Sequence, residues 1–453
     1  MQYWEKLTTL KQNEKEEFEV LANYIIMQNN DDWQVKLSAS KFAELLAQKQ
    51  LVSTTTTAER RLNKFQDLGL IERVSQGNAR NSVKTIILKD YVYQGALLTG
   101  AIALDSPLYR EREADLAYKS IFRPDRGIYE SLPFIRIKGA KGMGKSSLLI
   151  RIRDFLENER NHTVAVVDLN SAAFDTAILQ DLETLFYRFT LAVTQEFVKR
   201  NPSLNPPDLK MYWRKERGFG ANCTNYLEEY VFRKIKTPKT LLIDGLDFIF
   251  GQVTQTDFLN VLRTWNEEKM KIVSRAPLVW PSIAIAYSTE PYPNRGDKVS
   301  PLQNIGFPLE LQEFIPETIL DLSKIYGLSW DMNAVNALTN IIGGYPDLIQ
   351  QALYNISKNN IDLAELENRA LKINGIFRYQ LLHLEKLLDE HEEIACGLKQ
   401  ILENQNISQS LAYKIQQMGL IREDDRGLKI SCWLYEKFLR KKLLDNRGGE
   451  THE

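Results

Sequence analysis

A glycine-rich loop between an apolar strand pattern and an apolar helix pattern constrains the fold of this chain more than any other feature. Residues 139–146 read Gly-Ala-Lys-Gly-Met-Gly-Lys-Ser, which completes the phosphate-binding pattern G-x-x-x-x-G-K-[ST]. An alternating apolar run at 134–137 precedes the loop, and Leu148, Leu149 and Ile152 follow it at helical spacing. This context predicts a phosphate-binding loop (P-loop) inside an α/β domain.

The residue types in the loop indicate a polyphosphate ligand with a divalent cation. Glycines let backbone N–H groups turn toward anionic oxygens, and the start of the helix adds a favourable dipole. We expect Lys145 to neutralise the β and γ oxygens of ATP and Ser146 to hold Mg²⁺ through its hydroxyl. The nucleotide-binding candidates in this segment are Gly139, Gly142, Gly144, Lys145, Ser146 and Ser147.

A second metal ligand is expected at the tip of a neighbouring apolar strand. The run Leu-Leu-Ile-Asp at 241–244 supplies Asp244, which we predict to bind Mg²⁺ together with Ser146. Gly245 follows, at the position where hydrolytic P-loop ATPases often keep a glutamate that polarises water. Asp247 is the candidate replacement for that carboxylate, and a helix N-cap is the alternative interpretation of the same residue.

A further strand pattern at 283–287 ends in Ser288 and Thr289. A polar residue at this strand tip can sense the γ-phosphate or orient water, and an ordinary strand-end turn explains the pattern equally well. Asp247, Ser288 and Thr289 are therefore the catalytic candidates.

Composition limits the class of protein and its compartment. The chain has 453 residues, which suggests about three domains, and its net charge of -1 argues against a polyanion-binding surface over the whole molecule. Cys223, Cys396 and Cys432 lie far apart, so no disulfide framework is indicated and a reducing cytoplasm is expected. The apolar run at 95–104 is too short to cross a bilayer, so no membrane partner is expected.

The first 95 residues have the pattern of a winged helix, with three amphipathic helices followed by strands at 70–74 and 83–88. In such folds the third helix enters the major groove of DNA. Residues 54–89 hold seven basic and three acidic residues, a net charge of +4. On the third helix Arg60, Arg61 and Lys64 are expected to face outward, either toward duplex DNA or simply toward solvent. A protein-docking role is the alternative, because winged helices also dock proteins.

The remaining pattern predicts an α/β fold class: a P-loop three-layer domain with a parallel sheet, a helical lid, and winged-helix domains at both ends. The C-terminal winged helix is inferred because the sequence around Gly419 repeats the helix-to-wing passage around Gly69. The predicted domains are a winged helix at 1–95, a P-loop core at 96–311, a helical lid at 312–384 and a second winged helix at 385–445.

Several strings together resemble the bacterial AAA-like domain family, which is related to the STAND class of signal-transducing P-loop ATPases. The resemblance covers about residues 106–443. The matching strings are Ser106-Pro107-Leu108-Tyr109 with Arg112, the loop through Leu149, Leu262-Arg263-Thr264-Trp265-Asn266-Glu267-Glu268, Tyr287-Ser288-Thr289-Glu290, Gly343-Gly344-Tyr345-Pro346, Met418-Gly419-Leu420-Ile421 and Leu434-Tyr435.

The resemblance implies an ATP or ADP site between the α/β core and a helical lid, with Pro346 near the nucleotide. It also implies an N-terminal effector or recognition module that responds to the nucleotide state. The Asp-Gly-Leu-Asp string at 244–247 is similar to the Asp-Gly-x-Asp of STAND ATPases and departs from the family's glutamate at Gly245, so slow turnover is expected.

Three functions stay open on the sequence. The first is a switch ATPase, used in bacterial signalling or defence, that self-associates in the ATP-bound state and controls a winged-helix module. The second is an ATPase that assembles on duplex DNA, as initiators or transposition regulators do. The third is a protein that binds nucleotide only as a structural ligand.

Overall fold

The computed structural model describes residues 3–28, 33–51, 54–74, 83–89, 91–97, 99–122, 133–271, 279–288, 301–302, 304–372, 374–425 and 427–445. The chain divides into two compact units. The first contains Met1–Arg110, Phe314–Gly344 and Leu348–Arg378, and the second contains Glu111–Glu313, Tyr345–Asp347 and Tyr379–Glu453.

The first unit begins with helices packed beside a small antiparallel sheet whose strand order is β1-β3-β2. The predicted helices and both predicted strands are present, and β1 is an addition that the sequence pattern did not reveal. The predicted turn at 76–78 lies outside the described residues. The elements are α1 (Tyr3–Thr8), α2 (Gln12–Met27), β1 (Gln34–Leu37), α3 (Ala39–Gln48), α4 (Thr55–Asp67), β2 (Ile71–Val74) and β3 (Lys84–Leu88).

The second unit is built on five parallel strands in the order β5-β6-β7-β4-β8. The elements are α5 (Glu113–Ile121), β4 (Phe134–Lys138), α6 (Lys145–Asn158), β5 (Thr163–Asp168), α7 (Thr176–Gln180), α8 (Leu182–Arg200), α9 (Leu209–Tyr212), α10 (Phe219–Tyr226), β6 (Lys239–Asp244), α11 (Gln255–Lys271), β7 (Ser282–Tyr287) and β8 (Phe307–Glu310).

Helices cover both faces of this sheet. Alternate residues of a strand point to opposite faces, and apolar residues on both faces of these strands are buried. Leu241, Ile243 and Ile285 share one core with residues of α8, α10 and α11. The alternating residues Leu242 and Ala284 are buried on the other face, where α6 contacts β5, β6 and β7. The three-layer α/β prediction is confirmed. The edge strand β8 was not predicted, since it is short and contains Pro308, a residue that sheets tolerate at an edge.

Four helices follow the sheet: α12 (Pro316–Ile325), α13 (Met332–Ile342), α14 (Pro346–Asn359) and α15 (Leu363–Ala370). Within the first unit, the Gln350 amide donates to the Leu108 carbonyl at 3.0 Å, and the Tyr93 N–H donates to the Ile325 carbonyl at 2.7 Å. These helices therefore contact the segment that follows the N-terminal sheet.

The chain ends in α16 (Arg378–Glu390), α17 (Glu392–Leu402), α18 (Gln409–Gln417), β9 (Ile421–Asp424), β10 (Gly427–Ile430) and α19 (Trp433–Leu443). The two strands form an antiparallel hairpin. Gly397 lets α17 approach α18, since a Cβ there would lie 2.7 Å from Leu411 Cδ2. We call residues 392–443 the C-terminal module. Across the described ranges, no helix is both long enough and apolar enough to cross a membrane.

Candidate nucleotide site

The P-loop lies where the sequence places it, between the end of β4 and the start of α6. Gly142 and Gly144 have φ angles of +82° and +89°, a region that favours glycine and turns backbone N–H groups to one side. Gly144 is the N-cap of α6, so the first N–H groups of that helix have no carbonyl within the helix to bind. This backbone geometry suits an anionic ligand.

Lys145 is the charged centre of the site. Its Nζ donates to the carbonyl oxygens of Gly139 and Ala140 at 2.8 and 3.1 Å, and to Ser288 Oγ at 2.9 Å. Burial lowers the pKa of Lys145, and the nearby carboxylates of Asp247 and Asp244 oppose that shift. The ammonium is thus held between the P-loop and the tip of β7, where a phosphate group would compete for it.

Ser146 and Asp244, the two predicted magnesium ligands, lie in contact with each other. The Ser146 side chain forms a hydrogen bond with the Asp244 carboxylate, and Asp244 Oδ1 also accepts the N–H of Gly245 at 2.9 Å. Burial raises the pKa of Asp244, and both hydrogen bonds counter the shift. A hydroxyl and a carboxylate side by side are the oxygen ligands that Mg²⁺ prefers, so these residues fit the ion.

Asp247 and Ser288 form the third part of the site. Asp247 Oδ1 accepts the backbone N–H of Ser288 at 2.5 Å, and Asp247 Oδ2 accepts the Ser288 hydroxyl at 3.3 Å. Asp247 lies within a short 3-10 turn over Leu246–Ile249 whose N-cap is Gly245, so the N-cap interpretation of Asp247 is wrong. The predicted candidate Thr289 lies outside the described residues.

The start of α14 contacts the P-loop within the second unit. The N–H of Asp347 donates to the Gly142 carbonyl at 3.2 Å, and a Cβ on Gly142 would come within 2.9 Å of the Asp347 Cβ. Pro346 is buried beside this contact. The neighbouring Tyr345 hydroxyl donates to the carbonyl of Gly419, and a Cβ on Gly419 would lie 2.9 Å from the Ala140 Cβ. The C-terminal module therefore approaches the loop closely.

The AAA-like domain family matches residues 97–441, which is more than half of the chain. The chain belongs to this family. With the loop, the strand order and the Ser146–Asp244 pair already described, it is an AAA-like protein of the P-loop ATPase class. No curated protein matches the sequence.

Three solved structures are similar to this AAA-like protein. The Walker-type ATPase PabY2304 of Pyrococcus abyssi has 16% identity and a TM-score of 0.47, over 72% of this chain and 95% of its own. The Aeropyrum pernix ORC2 protein, in ADPNP and ADP complexes, has 13% identity and a TM-score of 0.39, over 73% and 94%. AMPPCP-bound DnaA from Aquifex aeolicus has 18% identity and a TM-score of 0.34, over 69% and 79%. The family assignment is based on the sequence match alone.

The predicted DNA-binding face of the AAA-like protein needs correction. Arg61 does not face outward: its side chain is 13% exposed and forms ion pairs with Glu14, at 2.6 Å, and with Glu17. Lys64 also binds Glu14, at 2.6 Å. Both acids lie on α2 and are buried, and the charge count over 54–89 had left them out. Of the three predicted residues, Arg60 is exposed, whereas Arg61 and Lys64 are partly buried.

Ser147 lies in the first turn of α6 and is buried. This position suits a residue that supports the loop better than one exposed at its surface.

Two residues of the site received no role from the sequence. The Arg112 guanidinium donates to the carbonyl of Met143, a residue of the P-loop, at 2.8 Å and thereby stabilises the loop. Asp168 ends β5 directly opposite Asp244. Its place directly after the apolar run at 164–167 was the available signal.

Proposed function

We propose that this AAA-like protein is a switch that binds ATP with Mg²⁺, hydrolyses it slowly and changes its assembly with the nucleotide state. The observation that carries the proposal is the Ser288 hydroxyl, which accepts from Lys145 and donates to Asp247. A γ-phosphate that attracts Lys145 also changes the hydrogen bonds of Ser288 and Asp247. The presence or absence of the γ-phosphate therefore changes the hydrogen bonds at the ends of both β6 and β7.

Two further contacts support transmission beyond the loop. Gly142 is hydrogen-bonded to Asp347 at the start of α14, and Gly419 of the C-terminal module receives the Tyr345 hydroxyl. Asp347 and Tyr345, which make these two contacts, lie on either side of Pro346. A shift of the P-loop around a ligand therefore acts on the start of α14 and on the C-terminal module through the segment 345–347.

The outer parts have the element order of recognition modules. The order of one helix, one strand, two helices and two strands over α2 to β3 supports a winged helix, and α17 to α19 with their hairpin support a second. We infer that the N-terminal module binds a protein or nucleic acid partner and that the ATP-bound chain self-associates. Unpaired thiols at Cys223, Cys396 and Cys432 support a reducing cytoplasm.

Assembly on duplex DNA is the alternative function. Two of the three residues predicted to contact DNA, Arg61 and Lys64, are engaged with buried carboxylates. Of those three residues this leaves Arg60 as the exposed cation, and a single cation on α4 gives little of the counterion release that drives DNA binding. We therefore rank the nucleotide-dependent switch above assembly on DNA.

Light scattering coupled to size exclusion tests the proposal. The full chain is measured with Mg-ADP, Mg-ATP and a non-hydrolysable ATP analogue, with and without duplex DNA, and Lys145→Ala is the matched control. The switch predicts a larger particle with the analogue than with ADP, and no such difference for the variant. Equal masses in every nucleotide would contradict it. A DNA complex that weakens steeply with salt and is lost in Arg60→Glu would favour the alternative.

A further inference from the structure

Asp168 places a second carboxylate at the magnesium edge of the sheet. It is the last residue of β5, and the parallel register sets it opposite Asp244, the last residue of β6. The carboxyl ends of adjacent parallel strands share one edge, so both carboxylates lie at the edge that bears the P-loop. Asp168 is exposed, whereas Asp244 is half-buried and bonded to Ser146.

The space beside Gly245 shows why Asp168 matters. Gly245 has φ of +71°, and a Cβ built on it would lie 3.4 Å from Asp168 Oδ1 and 3.2 Å from the Asn170 backbone nitrogen. A glutamate here would be strained in its backbone and crowded by the end of β5. Asp168 Oδ1 therefore borders the space where the side chain of the missing glutamate would begin.

Asp247 is less suited to take a proton from water. Both of its oxygens accept from Ser288, and Ser288 in turn accepts from Lys145. Asp247 is thus a positioning residue for the tip of β7. Asp168 Oδ1 accepts the N–H of Asn170 at 2.8 Å, and among the described residues no other side-chain or backbone donor reaches its carboxylate. The residue as a whole is exposed.

We propose that Asp168 is the catalytic carboxylate that orients and deprotonates the attacking water. The inference rests on the proposed ATP hydrolysis. The water oxygen forms a bond to the γ-phosphorus while the bond from that phosphorus to the bridging oxygen of ADP breaks, and ADP leaves with the electron pair. The water proton passes to Asp168 and from there to solvent. Lys145 neutralises charge on the phosphates, and Ser146 and Asp244 would hold the Mg²⁺ that supplies further positive charge there.

The test compares Asp168→Asn, Asp168→Glu and a matched control, Asp175→Asn, in the full chain at saturating Mg²⁺. Asp175 is an exposed aspartate of the same loop that caps α7, and asparagine retains the cap. Phosphate release gives kcat and KM, and calorimetry with a non-hydrolysable ATP analogue gives the Kd separately. We expect kcat to fall by about 10²–10³-fold in Asp168→Asn, the range that a general base contributes, with Kd little changed.

The control is expected to keep the parent kcat, and Asp168→Glu to recover part of it. An analogue Kd that stays unchanged while kcat falls separates this role from a purely structural one, which would alter both. If the parent binds the analogue and hydrolyses ATP while Asp168→Asn does so equally fast, the inference fails and the proposed function stands. If the parent binds the analogue but releases no phosphate, the inference and the proposed hydrolysis fail while nucleotide binding stands. If the parent binds no nucleotide, both fail.

Discussion

One hydroxyl joins the charged groups of the nucleotide site. Ser288 Oγ lies 2.9 Å from Lys145 Nζ and 3.3 Å from Asp247 Oδ2. A hydroxyl can accept from the ammonium and donate to the carboxylate at once. Removing it would leave Lys145 and Asp247 without their common partner, although both charges stay in place.

Ser288→Ala is accordingly expected to change how the site distinguishes ATP from ADP. The affinity for ATP should fall by about tenfold, the size of one hydrogen bond to a charged group, while the affinity for ADP changes less. Calorimetry with both nucleotides measures the ratio. Ser203→Ala, at an exposed serine bonded to Asn201, is the control. An unchanged ratio of the two affinities would show that Ser288 does not sense the third phosphate.

Asp244 makes magnesium binding depend on pH. Burial raises the pKa of its carboxyl, so protons compete with Mg²⁺ for this group at a higher pH than for an ordinary aspartate. The magnesium-dependent part of nucleotide affinity should therefore weaken as the pH falls toward that raised pKa. Titrations of the analogue with and without Mg²⁺ across pH measure this part. Asp244→Asn should remove it, and a pH-independent magnesium effect in the parent chain would contradict the assignment.

At the scale of single elements, α4 is fixed to α2 by charge. Glu14 and Glu17 are only 3% and 4% exposed, and Arg61 bonds to both of them. Burying a carboxylate is costly unless a partner compensates it. The pair thus gives α4 one fixed rotation, with Arg60 outward.

Arg61→Ala should destabilise the first unit by about 2–4 kcal/mol, because it leaves buried carboxylates with less compensation. Arg60→Ala, one residue away and exposed, should change stability by less than about 0.5 kcal/mol. Unfolding in urea, followed by circular dichroism, compares the two. Equal losses would mean that the ion pairs with α2 contribute nothing.

His162, just before β5, gives the second unit a sensitivity to acid. Burial, with Arg160 and Lys239 nearby, lowers its pKa from 6.5 to about 4, and its Nδ1 lies 2.9 Å from the Thr240 hydroxyl. The unfolded chain therefore binds a proton at higher pH than the folded chain does. Stability contributed by the neutral ring is complete above the unfolded value and is lost as the pH falls from 6.5 toward about 4.

The expected loss over that interval is about 1–3 kcal/mol, since each pKa unit corresponds to 1.36 kcal/mol at most and the ring is only partly buried. His162→Gln keeps a polar partner for Thr240 and cannot be protonated in this range. Urea midpoints at neutral and acidic pH should therefore differ less for the variant. A variant with the parent's pH dependence would assign the acid sensitivity to other groups.

At the scale of the whole molecule, the elements that carry the P-loop were predictable because the glycine-rich motif fixes the places of β4 before it and α6 after it, and apolar residues recur there at strand and helical spacing. The strands β1 and β8 were missed because four residues give little pattern of their own. The equally short β2 was recognised from the helix pattern and Gly69 before it, a context that β1 and β8 lack. Residue spacing along the sequence was enough to predict that Lys145, Ser146 and Asp244 belong to the site. Which residues lie next to them is set by the order of the strands in the sheet. Residue spacing could not show that Arg61 faces buried acids. Glu14 is far from Arg61 in the sequence, and the spacing of residues along α4 does not reveal which helix packs against it.

Asp247 and Asp168 show the same limit within the site. Both were visible as acidic residues after apolar runs, yet only the fold shows that Asp247 binds Ser288 and that Asp168 borders Gly245. Contacts between strand tips depend on strand order, and that order is set by the crossover connections. A linear pattern carries too little of this information to assign the roles of individual carboxylates.

If Lys145, Ser146 and Asp244 hold a nucleoside triphosphate with magnesium, Mg-ATP must bind to the full chain, and calorimetric titration measures that binding. We expect a saturable heat with a Kd of roughly 1–100 μM, and an affinity at least about tenfold weaker in Lys145→Ala, since the variant loses a charge-assisted contact to the phosphates. No heat in the parent chain, or equal affinities in parent and variant, would contradict it.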